Sequence, residues 1–160
     1  MTVKDVFGAP SARRDAIALS SQDNRTPCEF DCECEGLTLD ALTESSYKNS
    51  REHGFWADAD FLEETGHKEL VYRYVIPTKL MLMVSELSEA LDNIRDGTLE
   101  KGTTMWYTDT GKPDGFATEL ADAIIRILDV VGYLDIDITE VIREKEKYNR
   151  TRPPKHGKAI

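Results

Sequence analysis

Between Phe116 and Tyr133 the sequence allows little except a helix buried over most of its surface. Ala121, Ala123, Ile124, Ile125, Ile127, Leu128, Val130 and Val131 make the segment apolar nearly all the way round, and such a helix belongs in an interior. Its charged residues are Glu119, Asp122, Arg126 and Asp129, spaced three, four and three apart. That spacing puts all four on one stripe. On so apolar a helix the stripe faces an interior cleft, or solvent along one narrow line.

A second long helix is predicted from Pro77, which is favoured in a first helical turn, to Gly97. Leu80, Val84, Leu87, Leu91 and Ile94 recur at +4, +3, +4 and +3, the face of a helix packed in a bundle. A further helix spans about Leu39 to His53, with Thr38 or Asp40 as cap and Gly54 as stop. Another runs from Ile138 to about Asn149, capped by Asp137 with Glu140 three residues on. Residues 57–76 carry no clear pattern beyond a short helix near Leu70 to Val75. Residues 98–115 read as a loop closed by the turn Gly111-Lys-Pro-Asp-Gly115. No segment alternates like a strand. The expectation is an all-α domain over residues 36–158, a bundle of four or more helices, preceded by an irregular extension over residues 1–35.

Composition narrows the function. The 160 residues suffice for about one domain, and no apolar run approaches the ~20 residues of a membrane helix. A net charge of −10 disfavours nucleic-acid and anionic-membrane binding. From Arg143 to Lys158, however, seven basic side chains face two acidic ones, so an acidic body ends in a basic tail. Residues 1–20 lack the apolar core of a signal peptide, which makes a cytosolic setting the expectation. Cys28, Cys32 and Cys34 are an odd set at a spacing that forms no disulfide framework, and they read as free thiols.

Glu86 and Glu89, spaced i and i+3, share a face of the second long helix. If that helix adjoins the apolar one, their carboxylates meet Glu119 and Asp122. Two like charges 4 Å apart repel by about 4 kcal/mol at an effective dielectric of about 20, so protonation or a cation must relieve them. Hard oxygen donors suit Mg2+ or Mn2+. The ordinary alternative for each Glu-x-x-Glu pair is a solvated helix face.

Three ordered motifs now stand out: Ser85-Glu-Leu-Ser-Glu-Ala-Leu91, Glu119-Leu-Ala-Asp122, and Lys145-x-x-x-Asn149-x-x-Arg152. Together with Gly54-Phe-Trp56 and the closing Asn149-x-x-Arg-Pro-x-Lys-His-Gly157, they resemble MazG-like all-α nucleoside triphosphate pyrophosphohydrolases of the single-domain phage and bacterial type, over residues 42–158. The resemblance implies a four-helix-bundle-type fold that cleaves a nucleoside or deoxynucleoside triphosphate to the monophosphate and pyrophosphate, in the cytoplasm of a bacterial or phage-infected cell. It implies Glu86, Glu89, Glu119 and Asp122 as catalytic metal ligands for Mg2+, and Lys145, Asn149 and Arg152 as phosphate ligands. Ser85 departs from the many members that carry a further Glu there. Phe55, Trp56 and Trp106 (or its neighbour Tyr107) are candidates to stack on the base. Arg126 and Asp129 would support the metal carboxylates or pair with each other.

Other chemistries fare worse. A di-iron bundle needs two Glu-x-x-His motifs, and the single match, Glu64-Thr-Gly-His67, contains a glycine. Gly111-Lys112 lacks the remainder of a phosphate loop. The alternative from another class is a non-catalytic helical module for binding or assembly. Either way, the apolar excess predicts a homodimer or homotetramer.

Overall fold

A computed structural model describes residues 37–99 and 102–153. The predicted extension, its three cysteines, and Lys155 and Lys158 lie outside these residues. The described chain is all-α apart from one short ribbon. Helix α1 is Leu39–Glu52. Of its two candidate caps Thr38 is the one used, its Oγ1 accepting the Ala41 N–H at 3.1 Å. The chain leaves α1 through Gly54 at φ +77°, a conformation glycine adopts freely.

The stretch without a clear pattern is helical. Helix α2 is Ala57–Glu64. After it, α3 (Lys68–Leu70), a π turn (Val71–Val75) and α4 (Ile76–Arg95) form one unbroken helical run. Pro77 therefore does not reset the chain. It has no N–H for the Arg73 carbonyl and its ring crowds that carbonyl. The widened turn just before it absorbs the misfit, and the Thr78 hydroxyl donates to the Tyr74 carbonyl at 2.8 Å.

The predicted loop holds a two-stranded antiparallel ribbon, β1 (Trp106–Tyr107) and β2 (Pro113–Asp114), with Trp106 opposite Asp114. Strands of two residues are too short to alternate visibly. The ribbon lays Trp106 over Gly115, where a Cβ would sit 2.7 Å from Trp106 Cζ3, so only glycine fits at the entry to the next helix. That helix, α5, spans Phe116–Tyr133, as the sequence predicts. Helix α6 (Ile138–Arg150) follows, and Asp137 Oδ1 accepts the Glu140 N–H at 2.8 Å.

Helix α5 packs between α1 and α4. At its crossing with α1, a Cβ on Gly132 would lie 2.6 Å from Tyr47 Cβ. The core gathers Trp56, Ala59, Val71, Met83 and Val130, with Tyr47, Leu62 and Tyr133 packed around them. Helix α6 touches α1, through Thr139 Oγ1 donating to Asp40 Oδ1 at 2.7 Å, and has no buried residue. No helix among the described residues is long and apolar enough to cross a membrane.

Two expectations about packing are overturned. Helix α5 is not buried over most of its surface, since Leu120, Ile124, Ile125 and Ile127 are each at least a third exposed. The seam Leu80, Val84, Leu87, Leu91 and Ile94 is not buried among the described residues; each residue is roughly half exposed. The face that meets α5 is the adjacent one, with Met83, Glu86 and Ala90 buried and Lys79 nearly so. Lys79 and Glu86 each find an opposite charge on α5, and those pairings set the rotation of α4.

Candidate metal centre

Lys79 meets Asp129 and Glu86 meets Arg126, so α4 and α5 run antiparallel. This brings the C-terminal half of α4 beside the first turn of α5. There Glu86, Glu89 and Glu119 converge, with one carboxylate oxygen from each within 4.8 Å of the others. Glu86 and Glu119 are buried, at 7% and 6% exposure, whereas Glu89 reaches solvent and accepts a long 3.3 Å bond from Ser85 Oγ. Asp122 does not join the three. It lies one turn along α5 and lines the neighbouring pocket.

Charge explains what such a centre requires. Glu86 accepts a hydrogen bond from Arg126 Nε at 2.6 Å, which offsets one of three negative charges. Glu119 has no hydrogen-bond or ion-pair partner among the described residues. Burial raises its pKa above the ordinary carboxylate value, and the nearby charges of Glu89, Glu86, Asp122 and Asp114 raise it further. Two uncompensated charges remain, the charge of one divalent cation. Three carboxylates offering only hard oxygen donors fit such an ion.

A pocket of about 490 Å3 opens beside this centre, between α1, α4 and α5. Its walls include Ser46, Ser50, Phe55, Lys79, Asp122 and Arg126. Ser46 and Ser50 are only 9% exposed, and their hydroxyls have no hydrogen-bond partner among the described residues. Spaced i and i+4, they form a polar strip on the face that α1 turns inward. Few apolar residues occur between Leu39 and Glu52, and small hydroxyls stand on this face where leucines would ordinarily pack.

The aromatic candidates separate. Trp56 is not a stacking residue for a ligand. It is 1% exposed, one face stacks on Tyr133 at 4.1 Å, and Lys79 Nζ lies 3.9 Å from its ring centroid. Its N–H donates to Asp129 Oδ1 at 2.7 Å, while Lys79 holds Oδ2 at 2.9 Å. Asp129 thus pairs with Lys79 and not with Arg126. Trp106 is committed to Gly115 and Tyr107 stands exposed on the ribbon. Phe55 is 66% exposed and lines the pocket.

Lys145, Asn149 and Arg152 are not joined to the carboxylates by any hydrogen bond or ion pair among the described residues. Lys145 and Arg152 instead flank the Tyr148 ring, at 5.5 and 5.9 Å from its centroid. The role of Lys79, and the pairing of Tyr133 with Glu63 at 2.6 Å, escape sequence reasoning, because both depend on partners 50 and 70 residues away. No family model, curated protein or solved structure matches this chain.

Proposed function

We propose that the protein hydrolyses nucleoside or deoxynucleoside triphosphates to the monophosphate and pyrophosphate, in the manner of the MazG-like pyrophosphohydrolases that its motifs resemble. The observation that supports this most is the convergence of Glu86, Glu89 and Glu119 beside a pocket of nucleoside size. In this reading the three carboxylates hold Mg2+ or Mn2+. A divalent ion bound there supplies charge neutralisation for a polyphosphate and a water of lowered pKa. Asp122, on the pocket side, accepts hydrogen bonds from the nucleoside or from water held by the ion. The nucleoside enters the pocket with Phe55 at its mouth and the Ser46 and Ser50 hydroxyls along one wall. Lys145, Asn149 and Arg152 are the proposed contacts for the outer phosphates. The same resemblance implies the cytoplasm of a bacterial or phage-infected cell as the setting of this activity.

The exposed seam on α4 supports an assembly as well. Leu80, Val84, Leu87, Leu91 and Ile94 repeat every 3.5 residues, the spacing of paired helices, and Leu120, Ile124 and Ile127 of α5 are also at least a third exposed. A second copy presenting the same face is the proposed occupant, in a homodimer or homotetramer. A non-catalytic assembly module would show this face too, so the deciding experiment is enzymatic. Pyrophosphate release is measured from a panel of nucleoside and deoxynucleoside triphosphates with Mg2+. Release from at least one, lost in Glu89→Gln and weakened in Asp122→Asn, is expected. No release from any nucleotide leaves the assembly module.

A further inference from the structure

Arg126 stands between the two halves of the site. Its Nε is committed to Glu86, its side chain is 40% exposed, and it lines the pocket. Two carboxylates are its neighbours along the stripe on α5. Asp129, three residues on, is taken by Trp56 and Lys79, and Asp122, one turn back, makes no ion pair with it. The two terminal nitrogens of Arg126 therefore have no partner among the described residues. A guanidinium is a rigid fork of five N–H donors. Here one tine holds a carboxylate of the centre and the two NH2 groups are left for an acceptor on the pocket side.

We infer that Arg126 is the residue that grips the phosphate attached to the nucleoside, an inference that rests on the function proposed above. A substrate whose polyphosphate reaches the carboxylates and whose nucleoside fills the pocket carries its first phosphate past the boundary where Arg126 sits. Two parallel N–H to oxygen bonds suit that group. The same contact serves the monophosphate product and is absent for pyrophosphate. Arg126 thereby positions Glu86 and recognises the first phosphate at once.

The test separates these two duties. Binding of each of the four deoxynucleoside monophosphates, of inorganic pyrophosphate and of Mn2+ alone is measured by calorimetry for the wild type, Arg126→Lys and Arg126→Gln. A lysine can still pair with Glu86 but has no fork. In Arg126→Lys, Mn2+ and pyrophosphate affinities are expected within twofold of wild type, while the monophosphates that the wild type binds weaken about tenfold, the loss of one charge-assisted hydrogen bond. Arg126→Gln frees the charge on Glu86 and is expected to hold Mn2+ at least as tightly as wild type while losing the monophosphate contact. Unchanged monophosphate binding in Arg126→Lys, or equal weakening of monophosphate and pyrophosphate, overturns the inference while leaving the hydrolase reading intact. A wild type that binds Mn2+ but no monophosphate and cleaves no triphosphate overturns both.

Discussion

The indole N–H of Trp56 donates to Asp129 Oδ1 at 2.7 Å, fastening the segment after α1 to the middle of α5. Lys79 closes the arrangement from α4, bonding the other oxygen of Asp129 at 2.9 Å while covering the indole face. One buried carboxylate thus ties three elements together around the core.

The first prediction concerns this knot. Lys79→Met leaves Asp129 without its cation in a nearly closed site, and removing one partner of a buried pair costs about 3–5 kcal/mol. Trp56→Phe keeps most of the ring and loses one hydrogen bond, at about 1–3 kcal/mol. Urea denaturation should rank Lys79→Met as the more destabilised, and adding Asp129→Leu to it should restore part of the loss. The reverse order would place the stability in the aromatic stack and not in the ion pair.

Glu119 bears the second. With its carboxylate buried among like charges, Glu119→Gln should raise thermal stability in chelator-treated protein. The same variant should lose at least tenfold in Mn2+ affinity by electron paramagnetic resonance. A Gln variant that is less stable without metal and binds Mn2+ normally would remove Glu119 from the centre.

A pH dependence follows from Tyr133. Burial first, and then its bond to Glu63, raise its pKa above the ordinary 10.0. A folded pKa above the unfolded one means that the unfolded chain loses this proton first as pH rises. The contribution to stability is therefore complete below about pH 10 and is lost as pH rises above it. Tyr133→Phe should flatten the alkaline decline of stability relative to wild type, and spectrophotometric titration should show one tyrosine ionising well after the others.

The seam on α4 gives the fourth. Leu87→Glu combined with Leu91→Glu should convert a wild-type dimer or tetramer into a monomer in sedimentation velocity, with helicity by circular dichroism unchanged. These positions are 52% and 46% exposed, so the introduced carboxylates can reach solvent in a single copy. A wild type already monomeric at high concentration would leave the face without its second copy.

The sequence alone determined the helices whose signals are local. Helix α5 follows from its near-total apolarity, and α6 from Asp137 and Glu140, because burial demand and caps act within a few residues of the chain. Locality also explains what was misread at Pro77, where a preceding π turn let the helix continue, and at Trp106, where pairing needed a partner across a turn.

Tertiary structure decided which faces meet. The 3.5-residue seam is the strongest apolar signal on α4, yet Lys79 and Glu86 turn the neighbouring face inward, since an ion pair forms only when its distant partner is in place. That rotation gathers Glu86, Glu89 and Glu119 and lays Lys79 over Trp56 and against Asp129. Periodicity places side chains on a face of a helix, and only the packing of that helix against another settles what the face will touch.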